Sequence, residues 1–283
     1  MAVQNLSSLL ASWLLSAMLL ATLSFSASAL DPIVTQEPMQ GVPPARESQV
    51  TMQNYREYPM NKWAFRNAGA PLNIVMIPRA GTIFPLPGPS KPALGQRLFT
   101  TAQGQQQSFD DLFESNYADG VVVMKGNRLV YEKYFHGFHA DAQHIWFSMS
   151  KSMASSAFGL LVAKGKVDLN ASPADYIPEL KGSGFERVTI QHVLDHATAI
   201  DFKETYTDFT SDFALKYAPA MNMGYLPGAR DAQPSNTKIL GVHDFLAHYI
   251  KPDLSIEPGS NFDYNSTNAD LLGWLIARIS GQP

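Results

Sequence analysis

The chain has 283 residues, of which 45% are hydrophobic and 16% charged, an ordinary globular balance with enough apolar side chain for a sizeable core. A net charge of −4, a pI near 6.0 and scattered basic residues give no basis for a nucleic-acid partner. With no cysteine, disulfides, thiolate metal sites and cysteine nucleophiles are excluded.

The first thirty residues carry no charged side chain. Leu9 to Phe25 is an apolar, serine-containing run, and Ala27-Ser28-Ala29 has the small residues of a cleavage site. Residues 1–29 therefore read as a secretory signal peptide cut after Ala29, the alternative being an uncleaved anchor, since the n-region lacks Lys and Arg. Export to the periplasm or medium follows, with no stable membrane insertion once the signal is removed. Residues 30–60 are rich in Pro, Gln and Met without a clear period and read as an extended arm or linker. Residues 61–283 form the main domain, opening at 61–115 with loops and short strands.

The clearest local signal is Gly120 to Tyr134. Two β-rich runs flank Gly126-Asn127, the signal of a β-hairpin. His136 and His139 follow closely, but without a carboxylate pattern they read as surface or structural histidines, not as metal ligands. Ser148-Met149-Ser150-Lys151 then opens an apolar helical pattern, with a helix expected over Ser152 to Lys164 and a stop at Gly165. Residues i and i+3 share a helix face, so the Lys151 amine can reach the Ser148 hydroxyl. A serine hydroxyl is a weak nucleophile until a neighbouring base takes its proton, and an amine in a desolvated pocket can be that base.

A second helix is expected from Thr189 to Ala197, with Thr189 or its predecessor near the cap. The polar and aromatic stretch 201–237 holds Asp201, Tyr206, Asp208, Asp212, Tyr217, Met221 and Tyr225; it reads either as a pocket border or as a surface insertion. After a turn at Pro258-Gly259, an aromatic segment runs into a helix with Leu271, Leu272, Leu275 and Ile276 on one face. Tyr264 sits at that junction, where it is either a proton shuttle beside a lysine or a core tyrosine. Sequons at Asn170 and Asn265 are read as chance, since a glycan at Asn265 would obstruct the Tyr264 segment.

Together these segments resemble the penicillin-recognising serine hydrolases, which include class C β-lactamases, D-alanyl-D-alanine carboxypeptidases, esterases and 6-aminohexanoate-dimer hydrolases. Ser148 and Lys151 match the S-x-x-K motif, and Tyr264 matches the tyrosine of Y-x-N, with Ser266 in the third place. Gly165 to Asn170, Tyr176 to Leu180, and Val188 to Thr198 are similar to the stretches between those motifs. Ser266, and more weakly Lys62 to Asn67, point to the ester and short-amide branch nearest the 6-aminohexanoate-dimer hydrolases.

The resemblance implies an α/β (α+β) fold of the β-lactamase/transpeptidase type, with a helical lobe packed on an antiparallel sheet lobe. It implies a small-molecule ester or amide substrate, an acyl-enzyme on Ser148, proton transfer by Lys151 and Tyr264, and substrate contact by Ser266. No metal or organic cofactor is implied. The family's third motif, K-T-G or His-x-Gly, is not met, because no Lys or His follows Tyr264. On this reading the C-terminal strands are missing, and the chain as it stands is expected to fold poorly. A β-lactamase or D,D-peptidase, and a truncated non-catalytic paralogue, are the alternative readings.

Overall fold

The computed structural model describes residues 37–72, 74, 75, 77, 80–222 and 239–282. The stretch read as a signal peptide, residues 1–29, and Tyr225 lie outside the described residues. The fold below belongs to the compact unit Pro38–Pro283.

From Pro38 to Met60 the chain makes turns and a short 3-10 helix, with Ser48, Tyr55 and Met60 buried. This part of the stretch expected as an arm is instead packed. Its two aromatic and methionine anchors are spaced by turns, so no helical or strand period marks them.

Two antiparallel pairs are present among the described residues. The first joins β1 (Leu98–Thr100) to β2 (Gln106–Ser108), and the second joins β3 (Gly120–Lys125) to β4 (Arg128–Tyr134). The second is the expected hairpin: Gly120 pairs with Tyr134 and Lys125 with Arg128. Gly126 and Asn127 both have positive φ, 54° and 57°, the twist a two-residue turn needs. Helix α1 (Phe109–Ser115) is capped by Ser108, whose side chain accepts from the Asp111 N–H. Buried Asp110 ties this helix to the hairpin. It accepts from the Tyr131 hydroxyl and from Gln96 Nε2 at 2.6 Å, and pairs with Lys133 at 2.7 Å. A Cβ on Gly95 would collide with that carboxylate and push it from these partners.

The helical lobe carries the apolar core. Helix α2 (Ser150–Ala163) begins two residues before its expected start, after a 3-10 turn at Phe147–Met149, and gives way to Gly165 in the left-handed region. Helix α3 (Ile190–Leu194) has Thr189 as its N-cap, its side chain accepting from the His192 N–H. It stops short of Ala197 because His196 adopts φ 52°. Helix α4 (Val242–His248) buries Phe245, Leu246 and Ala247. Helix α5 (Ser266–Ser280) starts at Asn265, whose side chain accepts from the Thr267 N–H, and ends at left-handed Gly281.

Leu271, Leu272 and Leu275 of α5 are buried as their spacing predicts, and Ile276 packs at the core margin. They meet Phe158 of α2, Val193 of α3, Phe245 of α4, the loop residues Ile200 and Phe202, and Phe213 at the start of a π-helical turn (Phe213–Tyr217), in one cluster. Each fully buried Leu or Phe contributes about 1.5–3 kcal/mol of transfer free energy. The start of α2 and the start of α5, which carry the two motifs, are thereby fixed on a rigid base.

Candidate active site

Ser148 lies on the 3-10 turn that leads into α2, and Lys151 lies in the first turn of the helix itself. The Lys151 Nζ donates to Ser148 Oγ at 2.9 Å, as the spacing predicts. Phe147, just before the nucleophile position, has φ 44°, an uncommon conformation for a bulky residue. It is held there by edge-on packing against the Phe65 ring at 5.0 Å, while Ile145 N–H donates to Phe65 O at 2.8 Å.

From the other side, α5 brings up the second motif. Lys151 Nζ stands 5.3 Å from the centroid of the Tyr264 ring. Tyr264 is 41% exposed, so it is not a core tyrosine. Ser266 donates to Glu204 through its N–H at 2.6 Å and through its hydroxyl at 2.9 Å. Ser148, Lys151 and Ser266 line one cavity of about 940 Å³, together with Tyr206, Tyr217 and Asp270. The stretch 201–222 therefore borders this cavity. Asn265 is buried, and its Nδ2 donates to Phe202 O at 2.9 Å, so that sequon serves the fold.

Three further groups surround the motif residues and were not singled out by the sequence. Glu204 gathers Ser266 and the Tyr206 hydroxyl on one carboxylate. Burial, and then that bond to Glu204, push the Tyr206 phenol well above its ordinary range. His196 stacks on Tyr264. Asp270, one turn into α5, accepts from the Tyr217 hydroxyl at 2.6 Å. Burial pushes its carboxyl from 3.8 up to about 6, against the Tyr217 bond and the nearby Lys151 amine, which pull it down.

That shift has a definite sign. The folded-state value lies above the unfolded one, so the stability it contributes is fully present below pH 3.8 and is lost as pH rises through about 6. Asp270→Asn keeps the acceptor for Tyr217 and cannot ionise. Its stability relative to the parent, measured by denaturant unfolding, is expected to improve as pH rises from 4 to 7. A difference that stays constant over that range would contradict the assignment.

His136 stacks on Tyr117 at 5.0 Å, in a packing role. Among the described residues no cluster of three or more His, Asp or Glu side chains is arranged to hold a metal. No helix of the described residues is long and apolar enough to cross a membrane.

Comparison with known proteins gives the family and the fold. Residues 109–283 match the Beta-lactamase family model. A 6-aminohexanoate-dimer hydrolase of Paenarthrobacter ureafaciens is 30% identical over 241 residues, covering 84% of this chain and 56% of that protein. The solved structure of a candidate 6-aminohexanoate-dimer hydrolase from Bacillus anthracis superposes with a TM-score of 0.68 at 22% identity, over 84% of this chain and 60% of the other. The chain thus belongs to the β-lactamase family of serine hydrolases and has its β-lactamase/transpeptidase-like fold of helices and antiparallel sheet. It spans somewhat more than half the length of these two proteins.

Proposed function

We propose that this chain carries the catalytic groups of a serine hydrolase that cleaves a small ester or amide through an acyl-enzyme on Ser148. The observation that supports this most directly is the 2.9 Å contact between Lys151 Nζ and Ser148 Oγ at a cavity wall. The Lys151 amine takes the hydroxyl proton while Ser148 Oγ bonds to the substrate carbonyl carbon. The Ser148 N–H serves as one donor to the developing oxyanion. As the tetrahedral intermediate collapses, the bond to the leaving alcohol or amine breaks, and a proton reaches that group by way of Lys151 and Tyr264. Water then attacks the acyl carbon and gives its proton to the same pair; the bond from that carbon to Ser148 Oγ breaks, the acid product leaves, and the proton returns to Ser148 Oγ.

The ester and short-amide reading is favoured over β-lactam hydrolysis by Ser266. Its hydroxyl is short and already committed to Glu204, where the β-lactamase motif has an asparagine. Similarity to the 6-aminohexanoate-dimer hydrolase of Paenarthrobacter ureafaciens supports the same branch. A short-chain nitrophenyl ester is expected to be turned over with a higher kcat/KM than a chromogenic cephalosporin. The reverse order would assign the site to β-lactams.

Export is proposed on the sequence alone. The protein recovered outside the cytoplasm is expected to begin at Leu30, which N-terminal sequencing reads directly. Material that still carries Met1 would refute cleavage.

A further inference from the structure

His196 takes no part in the steps above, yet it touches each residue of the second motif's first half. It follows α3 in the left-handed region, which turns its backbone out of the helix path. Its carbonyl accepts from the Asp263 N–H at 2.7 Å. Its ring lies against the Tyr264 ring, centroids 5.2 Å apart and planes 7° from parallel. Its Nδ1 accepts from the Asn265 N–H at 3.0 Å. A backbone N–H can only donate, so Nδ1 must offer a lone pair, and the neutral ring carries its proton on Nε2.

Protonating Nδ1 would set one N–H against another. The bond to Asn265 would be lost and a cation would be placed against the Tyr264 face. The four charged groups around the ring come from three segments. Lys151 on α2 opposes that cation, while Glu204 and Asp263 favour it. Asp263 is in turn engaged by Lys203 at 2.6 Å. Burial, and then Lys151, hold the imidazole below the ordinary histidine range.

We propose that His196 is a positioning residue for Tyr264: its neutral ring holds residues 263–265 against Lys151, and its protonation loosens that segment and slows acyl transfer at acid pH. The proposal rests on the catalytic reading given above. Two substitutions separate its parts. His196→Asn suits a positive φ and keeps a side-chain acceptor that does not titrate. His196→Phe keeps a ring over Tyr264 and removes the acceptor.

Nitrogen NMR of the full chain should show the Nε2–H tautomer at neutral pH. The Asn265 amide signal should titrate with the midpoint of the His196 ring, and it should lose this titration in His196→Asn. With a nitrophenyl ester, His196→Phe is expected to lower kcat about fivefold or more, with KM changed less than about twofold, while His196→Asn stays within about twofold of the parent. The ratio of parent to His196→Asn rates cancels every titration the two share. It should be flat at neutral pH and, below the His196 midpoint, fall by up to about tenfold per pH unit.

An Nδ1–H tautomer, an Asn265 amide insensitive to the His196 titration, a flat rate ratio, or a His196→Phe variant as fast as the parent would each overturn the proposal. If His196→Phe fails to fold, the tautomer, the amide titration and the rate ratio still decide it. A parent protein with no ester turnover and no adduct on Ser148 would instead overturn the catalytic reading, a result distinct from an active parent whose rate ignores His196.

Discussion

Ser148→Ala is expected to reduce ester turnover by about 10⁴-fold or more, because the loss of the nucleophile removes the covalent route altogether. The fold should be untouched. Ser148 is exposed, on a 3-10 turn fixed by Phe147 against Phe65. Its hydroxyl accepts from Lys151 and fills no part of the apolar core. The comparison to make is kcat/KM together with the unfolding midpoint. A variant with the parent's melting behaviour and an undiminished rate would remove Ser148 from the chemistry.

Removing either group assigned to proton transfer should also slow turnover, though by less. Lys151→Ala and Tyr264→Phe are each expected to lower kcat by about 10²–10⁴-fold, the range typical of general acid–base groups. Tyr264→Phe is the sharper test, since it retains the ring that stacks on His196 and deletes only the hydroxyl. If Lys151 and Tyr264 pass protons as a pair, the double variant should be little slower than the slower single one. Losses that multiply in full would mean that the two residues act independently and that Tyr264 serves packing rather than proton transfer.

What the sequence made legible follows the range of the interactions involved. The hairpin at 120–134 is written in two residues, Gly126 and Asn127, whose positive φ angles are a local requirement. The Ser148–Lys151 contact spans three residues on one turn, so spacing alone specifies it. The buried face of α5 follows from the i, i+4 placement of Leu271 and Leu275.

The groups that surround the motif are another matter. Glu204 meets Ser266 across 62 positions, His196 meets Asn265 across 69, and Tyr217 meets Asp270 across 53. Each pairing exists only after α3, α5 and the 201–222 stretch have packed, and no local pattern encodes it. His196 shows this well. At the end of an apolar helix pattern it reads as one more helical residue, yet its left-handed backbone ends α3 early and turns the ring onto Tyr264. The packing of residues 38–60 was hidden for a similar reason. Tyr55 and Met60 are buried by the body they fold against, not by a period of their own.

Reaction of the protein with a fluorophosphonate, followed by proteolysis and peptide mass mapping, reads the acyl-enzyme site itself. The neighbourhood makes this a real discrimination, because Ser150 also lines the cavity and Ser152 follows within two residues. The adduct is expected on Ser148 alone, and to be absent from Ser148→Ala. Label on Ser150 or Ser152 with Ser148 unmodified would contradict the assignment of the nucleophile and, with it, the roles given to Lys151 and Tyr264.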